Sequence, residues 1–326
     1  MNAFGNLFKI QIFGESHGAA IGIVIDGCPA GIALQEDDFK FDIERRKPGA
    51  KGTTTRIESD RPQLISGVYN GHTTGAPIAI QFANETQRSG DYEALKNIPR
   101  PGHADFVLQK KHHGFNDPRG GGHASGRLTL CLVAAGVIAK KIINPIAIHA
   151  ELIAAGGNTN IDEAIADAIK ANDSIGGLIA CNVQQVPVGL GDPFFDSLES
   201  QISHLIFAIP AVKGIAFGSG FAAAKMMGSQ HNDAIIDKEG TTKTNYAGGI
   251  NGGISNGNAI VFEVAIKPTS STAQMQESIN LESNALETFT VGGRHDVCIA
   301  LRAPVVVEAA TAIALADAYL RSKALT

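Results

Sequence analysis

The sequence predicts an α+β fold in which helices pack on antiparallel sheets. Segments rich in β-branched residues and segments rich in alanine and leucine follow one another without the regular strand–helix alternation of a doubly wound sheet. No long Pro/Ser linker divides the 326 residues and no repeat of fixed period occurs, so a single domain over residues 1–326 is expected. A chain of this length buries roughly three quarters of the surface it exposes when unfolded, which is enough for a full core.

The strands are predicted from short runs of β-branched residues bounded by turn-forming residues. The predicted strands cover residues 8–13, 21–25, 63–68, 77–82 and 259–266. A glycine-containing loop, 14–18, separates the first two strands. The turn-forming pair Asn70-Gly71 is expected to join the third strand to the fourth.

The helices are predicted from alanine- and leucine-rich runs and from residues that begin or end a helix. The predicted helices cover residues 127–143, 162–171, 198–207 and 308 to about 323. The first of them stops before Pro145. Asp196 and Glu199 give the third a capping-box start, and Pro210 ends it.

Composition excludes several classes of protein. A net charge of −5 with 18% charged residues disfavours both disorder and a general nucleic-acid surface. The four cysteines stand alone among apolar neighbours, as buried reduced thiols of a cytoplasmic protein do. No signal peptide is visible, and the longest apolar stretch, around 128–143, is interrupted by Lys140 and Lys141. We therefore expect no membrane and no nucleic acid as partners.

Three loops far apart in the sequence each place a titratable group beside glycine. They contain His17 in the loop 14–18, His103 between Arg100 and Asp105, and Asp296 in the segment 293–296. A histidine titrates near neutrality, so three such loops at one pocket would make an acid–base enzyme. A lone histidine is usually structural, but two in glycine loops near strand ends favour a function. No His/Cys spacing fits a zinc site, and Ser16 lacks the nucleophile elbow.

Other segments could bind anions or a planar ring, and each has a plainer alternative. Segment 45–56 is rich in arginine and lysine, and the glycine loop 117–126 feeds a predicted helix start. The strand-end segment 267–271 combines a lysine with three hydroxyls, which can hold a phosphate. Segment 248–257 has enough glycine for its backbone to pass flat against a ring. Taken singly, these segments could equally be a solvated charged loop, surface turns and a structural hairpin.

Twelve ordered motifs together resemble the chorismate synthase family over nearly the whole chain. The first six are GESHG at 14–18, DGCPAGI at 26–32, RRKPG at 45–49, LISGVYNGHTTGAPI at 64–78, RPGHAD at 100–105 and DPRGGGHASGR at 117–127. The others are VPVGLGDPFFD at 186–196, IPAVKGIAFGSGF at 209–221, GSQHND at 228–233, NYAGGINGGISNG at 245–257, KPTSS at 267–271 and GRHD at 293–296. Such a series is highly specific.

The resemblance implies a reaction, a cofactor and an assembly. The family converts 5-enolpyruvylshikimate 3-phosphate to chorismate by an anti 1,4-elimination of phosphate, the last common step of aromatic compound biosynthesis. It needs reduced FMN without net redox change. The substrate's two carboxylates and phosphate suit an arginine-rich pocket, and the flavin ring suits glycine loops. A β-α-β sandwich and a homotetramer are implied by the resemblance alone.

The resemblance also implies roles for individual residues. His17 would be the general acid for the departing phosphate, His103 would donate to the reduced flavin, and Asp296 would assist proton removal through flavin N5. Arg45, Arg46 and Arg127 would bind the anionic groups, with Arg294 contacting substrate or flavin. FMN would be held by His123, Ala124, Ser125, Pro210, Ala211, Gly252, Lys267, Pro268, Thr269, Ser270, Ser271 and Arg294.

Two departures from the family pattern bear on function. His123 stands where many members carry arginine, which would weaken one anion contact. Lys51 or Gly52 stands where many members carry an arginine associated with nicotinamide contact, so NADPH as reductant stays an open point. An alternative function is a flavin- or phosphate-ligand binding homologue impaired in catalysis. A phosphotransferase ranks third, because the phosphate-loop lysine is absent.

Overall fold

Two antiparallel sheets enclose a layer of helices in the computed structural model, which describes residues 2–54, 58–85, 97–292 and 295–325. The first sheet has five strands, all from the chain before residue 84. In spatial order they are β1 (Ala3–Phe4), β2 (Lys9–Gly14), β3 (Ala20–Asp26), β7 (Ile78–Ala83) and β4 (Gln63–Leu64). On β3, Ile21, Ile23 and Ile25 are fully buried, because alternate residues of a strand share one face.

The second sheet has four strands from the middle of the chain. In spatial order they are β10 (Val212–Phe217), β13 (Ile260–Ile266), β9 (Gly177–Gln184) and β8 (Ala147–Ala155). Short hairpins add the pairs β5 (Val68–Tyr69) with β6 (His72–Thr73), β11 (Ile250–Asn251) with β12 (Ile254–Ser255), and β14 (Gln276–Ile279) with β15 (Leu286–Phe289).

The helices lie mostly between the sheets. They are α1 (Lys40–Arg46), α2 (Asp105–Lys111), α3 (Thr129–Ile142), α4 (Ile161–Lys170), α5 (Leu198–Ala208), α6 (Gly228–His231) and α7 (Pro304–Leu325). α3 packs on β3 of the first sheet, α7 packs on β8 of the second, and the two helices pack on each other. Residues 129–139 and 305–318 are buried without interruption, as expected of helices covered on all sides. The resulting β-α-β sandwich confirms the predicted α+β class.

α3 and α7 approach very closely where they cross. A Cβ added to Gly136 would lie 2.4 Å from the Cβ of Ala309, closer than real carbon atoms come. Glycine is therefore required at this crossing by sterics and not by backbone conformation. The contact keeps the two central helices, and through them the two sheets, at a fixed separation.

The predicted elements agree with the structure in position more than in detail. The third and fourth predicted strands do pair, as β4 with β7, but Asn70-Gly71 turns the separate β5–β6 hairpin between them. The cap of α5 is Ser197, which accepts from the Ser200 amide, so the start predicted from Asp196 and Glu199 was wrong by one residue. The last helix begins four residues early, at Pro304, a residue whose fixed φ suits the first turn.

Burial agrees with two further expectations. The four cysteines are free and buried. One described stretch, Arg119–Ile142, has the length and hydropathy of a membrane span, but 78% of its most apolar window is buried inside the protein. That is the position of a core helix.

Candidate active site

One cavity of about 840 Å³ gathers most of the residues predicted to act. It lies where the N-terminal ends of α3 and α7 meet loops from both sheets. Such a volume is in the range of sites for cofactors and drug-sized ligands. The predicted residues on its wall are Arg46, His103, His123, Ala124, Ser125, Arg127, Pro210, Ala211, Lys267, Pro268, Thr269, Ser270, Ser271 and Asp296.

Three predicted residues do not line the cavity. His17 lies behind the wall, against Gly120. Gly252 is at the exposed turn between β11 and β12 and does not line the cavity. Arg45 points away from the cavity to Glu308, at 2.7 Å, so its position gives no support to a predicted ligand contact. Arg294 lies outside the residues that the structure describes.

The glycine loop Arg119–Ala124 runs between two of the predicted histidines. Gly120 and Gly121 have φ of +60° and +84°, a conformation that glycine adopts without strain. A Cβ on residue 120 would lie 2.4 Å from ring atoms of His17, and one on residue 121 would lie 3.1 Å from Cε1 of His103. Only glycine lets the backbone pass this close to both rings.

Hydrogen bonds attach the His17 loop to this glycine loop. The Ser16 amide donates to the Gly122 carbonyl at 3.1 Å, and Nδ1 of His123 donates to the Gly14 carbonyl at 2.7 Å. Asn84 donates to the carbonyls of Glu15 and Gly18, at 3.1 and 2.9 Å. His123 thus fastens the loop that carries His17, a structural role that its position in the sequence did not indicate.

Two arginines and one carboxylate form a buried group on the cavity wall. Nη1 of Arg127 donates to Asp60 at 2.5 Å, and Nη1 of Arg46 lies 3.7 Å from the other Asp60 oxygen. Arg46 also donates to Thr129 Oγ1 and to the Gly126 carbonyl at the start of α3, at 3.0 and 2.9 Å. Burial, helped by the nearby charges of Arg302 and Arg127, lowers the pKa of Arg46 to about 10, so it remains protonated at neutral pH.

The His103 imidazole is fixed by a neighbouring carboxylate. Its Nδ1–H donates to Asp105 at 2.6 Å, and Arg100 binds the same carboxylate through Nε and Nη2 at 2.7 and 2.9 Å. Burial would raise the pKa of Asp105, but the hydrogen bonds from Arg100 and His103 outweigh it and hold that pKa far below its usual range. Nε2 of His103 is left facing the backbone of Gly121.

A lysine and two serines converge beside the His103 loop. Nζ of Lys267 donates to Ser270 Oγ at 2.7 Å and to the Gly102 carbonyl at 3.1 Å. Ser271 Oγ accepts from Nη1 of Arg100 at 3.1 Å. These donors are of the kind that binds one phosphate group. The segment 267–271 therefore shares a wall with His103, although more than 160 residues separate them.

Asp296 is held by the loop that follows α1 and by the turn before α7. The Thr54 amide donates to its Oδ1 at 2.9 Å, and Nη2 of Arg302 donates to its Oδ2 at 2.7 Å. Burial lowers the pKa of the adjacent His295 below its ordinary value. The carboxylate reaches the cavity wall in one fixed orientation.

Sequence reasoning missed three further groups of the wall. Asp60, Arg302 and His204 lie in segments without a glycine loop or a cluster of like charges, so no local signal marked them. An apolar end of the cavity was missed as well. It is lined by Phe4, Ile10, Ile12, Leu132, Leu205 and the edge of His204, whose ring packs on Phe4 at 5.2 Å.

Known proteins match this chain over almost its whole length. The family model described as chorismate synthase matches residues 8–320. A chorismate synthase of Chitinophaga pinensis is 60% identical over 98% of this chain and 97% of its own length. One of Dehalococcoides mccartyi is 44% identical over the same shares, and a crystal structure of a chorismate synthase superposes with a TM-score of 0.74 at 25% identity, covering 98% of this chain and 93% of its own. The chain belongs to the chorismate synthase family, whose members are carbon–oxygen lyases acting on phosphates.

Proposed function

We propose that this chain converts 5-enolpyruvylshikimate 3-phosphate to chorismate in the cavity described above, with reduced FMN as cofactor. The observation that carries the proposal is the meeting of His103, Asp296, Arg46 and Arg127 on one wall, with His17 directly behind it. The alternative of a homologue impaired in catalysis has no support. His17, His103 and Asp296 are all present, and a relative of 60% identity is a chorismate synthase.

The residues present fit a flavin mononucleotide. Lys267, Ser270 and Ser271 offer cationic and hydroxyl donors for its phosphate. Gly120 lies on the cavity wall and carries no side chain, so a ring can approach its backbone closely. When bound, the reduced cofactor supplies transient electron density to the breaking C–O bond, without net oxidation or reduction.

The arginine pair suits the substrate's anionic groups. Arg46 and Arg127 are both buried and share one carboxylate, so the group carries an excess positive charge in a poorly solvated site. Charge attraction is strong where water is scarce. We assign the phosphate or a carboxylate of the substrate to this pair, and the proton for the departing phosphate to His17.

His103 and Asp296 are assigned the remaining proton chemistry. The Asp105 carboxylate fixes the proton of His103 on Nδ1 when the ring is neutral, and it stabilises the imidazolium when Nε2 is protonated as well. Nε2 can then donate to an anionic ligand atom. The Asp296 carboxylate, held by Nη2 of Arg302, is placed to accept a proton from the substrate side.

Turnover under anaerobic conditions tests this function. The protein is incubated with substrate and photoreduced FMN, and phosphate and chorismate are both measured. His17→Ala should reduce turnover about 10²–10⁴-fold, the usual contribution of a general acid, while FMN binding is retained. Absence of both products with flavin bound would contradict the proposal, and unchanged turnover of His17→Ala would remove the role of His17.

We also propose a cytoplasmic homotetramer made of one domain per chain. Exposed aromatic side chains, among them Phe194, Phe195 and Phe221 at 87–93% exposure, support burial against another copy. Light scattering should give four times the 34.0 kDa chain mass. Anaerobic turnover with NADPH as the sole reductant tests whether the chain reduces its own flavin, and turnover only with an added reductase would show that it does not.

A further inference from the structure

Among the residues that the structure describes, Asp60 is the carboxylate that contacts both buried arginines of the cavity wall, and the predicted chemistry gives it no role. We propose that Asp60 is a positioning residue that limits how tightly this arginine pair holds an anion, so that the phosphate product can leave. The proposal rests on the anion-binding role of Arg46 and Arg127 given above. It adds a group that sets the affinity of that site and touches no reacting atom.

Asp60 contacts both guanidinium groups from one side. One of its oxygens accepts from Arg127 at 2.5 Å, and the other lies 3.7 Å from Arg46. The rest of Arg46 is held by Thr129 and the Gly126 carbonyl, and Nε of Arg127 donates to Asn84 at 3.0 Å. Each arginine is therefore held in place without a ligand. The Asp60 carboxylate lowers the net charge of the group from two positive charges to one.

The burial of these three side chains makes their charge balance important. Arg46, Arg127 and Asp60 are 6%, 9% and 4% exposed. Two cations against one anion leave an excess of one positive charge in a site with little solvent to screen it. Glu58, a second buried carboxylate on the same wall, accepts from the Glu85 amide at 3.1 Å and is the same in every variant compared below, so it does not alter the comparison.

The backbone at Asp60 supports a specific role for this side chain. Its φ is +50°, the left-handed region in which aspartate and asparagine are the side-chain-bearing residues most often found. A residue held there is strained, and such strain persists only where the surrounding structure holds the residue in place. Here the two arginines hold the Asp60 side chain in place, and the left-handed backbone at residue 60 directs its carboxylate toward both of them.

The consequence for the reaction is a limit on product affinity. The elimination breaks the C–O bond of a phosphate ester dianion, and the departing group, once protonated, is HPO4²⁻, which carries the same charge as the ester and is smaller. With the Asp60 carboxylate between the two arginines, a dianion meets a net charge of about one from this group and can dissociate. Without that carboxylate, the same site would retain phosphate and turnover would be slowed by its own product.

Asp60→Asn tests the proposal through binding of inorganic phosphate to the protein saturated with oxidised FMN, so that the donors assigned to the flavin phosphate are already occupied. Asparagine keeps the size of the side chain and tolerates the left-handed backbone, so chiefly the charge changes. We expect phosphate to bind about tenfold more tightly than to the wild type, with a matching fall in the inhibition constant of phosphate in turnover. A purely structural role for Asp60 predicts the opposite, weaker binding.

Asp317→Asn is the matched control. Asp317 is equally buried, at 2% exposure, but it accepts from the amides of Asn6, Leu7 and Phe8, outside the cavity. This variant should lose stability with no change in phosphate affinity. Equal or weaker phosphate binding by Asp60→Asn, or no phosphate binding by either protein, would overturn the proposal. The proposed function itself is tested separately, by measuring turnover of the wild type.

A second pair of variants covers the case in which Asp60→Asn does not fold. Arg127→Gln leaves Arg46 and Asp60 with no net charge, so phosphate binding should be lost. Adding Asp60→Asn to Arg127→Gln restores one uncompensated cation and should restore at least part of the binding. If the double variant binds phosphate no better than Arg127→Gln, Asp60 does not set the affinity and the proposal is wrong.

Discussion

Arg45 and Arg46 are neighbours in the last turn of α1, yet they belong to two different kinds of ion cluster. Arg45 binds both oxygens of Glu308 at 2.7 Å, in a group completed by Asp42 and Lys140. Arg46 turns to the cavity, where it shares Asp60 with Arg127. Successive residues of a helix point about 100° apart, so one turn supplies both the core and the cavity.

The two clusters differ in charge balance. The interior cluster has two cations and two carboxylates, and Glu308 also accepts from the Ala150 amide at 3.0 Å. The cavity cluster has two cations for one carboxylate. A buried group that is complete in itself holds elements together, whereas a buried group with excess charge is completed by a ligand. Charge balance therefore separates the structural cluster from the functional one.

Glu308→Gln should have the largest effect on stability. It leaves Arg45 and Lys140 facing one carboxylate, and loss of a partner from a buried ion pair costs about 3–5 kcal/mol. Urea unfolding followed by circular dichroism should show that loss. The folded fraction should retain turnover within about threefold, since no cavity residue changes. A loss of turnover without a loss of stability would contradict the structural role of the interior cluster.

Acid should remove the same contribution from the wild type. Burial raises the pKa of Glu308, but Arg45, Lys140 and the Ala150 amide outweigh it, so the folded pKa lies below the ordinary value of 4.5. A carboxyl with a depressed pKa stabilises the fold above its unfolded pKa, and this is lost as the pH falls through the folded pKa. Below about pH 4.5 the wild type should lose stability more steeply than Glu308→Gln, in urea midpoints measured against pH.

Arg46→Gln should have the largest effect on activity. Removing a preorganised charged donor costs about 10²–10³-fold in turnover. Stability should fall by less than in Glu308→Gln, because the lost bonds to Thr129 and the Gly126 carbonyl are partly offset when Arg127 and Asp60 form a balanced pair. Arg45→Gln is the control from the adjacent position, with turnover within about threefold but a lower urea midpoint. Anaerobic phosphate release and urea unfolding measure both, and equal losses in the two variants would show that the clusters do not differ in role.

Glu44→Gln should have the smallest effect. Glu44 and Lys47 form a pair at 2.7 Å near the same end of α1, but the Glu44 side chain is 56% exposed. Exposed pairs contribute about 0.2–1 kcal/mol, so the urea midpoint should shift within that range and turnover should not change. A loss comparable to that of Glu308→Gln would mean that position on α1, and not burial, decides the energy of these pairs.

Local patterns predicted a large part of the fold. The β-branched run at β3 and the apolar run at α3 were both found, because burial on one or all faces leaves a period in the sequence. β8 was not predicted. Its sequence AIHAELIAA is rich in helix formers, and only its pairing with β9 makes it a strand. α1 was not predicted, because the basic residues at its C-terminal end were assigned to the charged segment 45–56.

Residues of the site were predictable where one short segment of the sequence contained a recognisable motif. Glycine beside histidine marked His17 and His103, and hydroxyls after a strand marked segment 267–271. Asp60 was missed because its strongest partner, Arg127, is 67 residues away. Arg45 and Arg46 could not be told apart, since their different partners depend on the side of α1 that each residue faces. Pairings between distant segments are properties of the fold.

The contact of Gly136 with Ala309 has a consequence for the evolution of this enzyme. Thr129 and Arg127 lie at the start of α3, about 10 Å along the helix axis from that contact. A methyl group at residue 136 would push α3 and α7 apart. The displacement of α3 would move the guanidinium groups near its N-terminal end. Gly136 and Ala309 are therefore expected to tolerate few substitutions in evolution, because larger side chains there would disturb a cavity that neither residue lines.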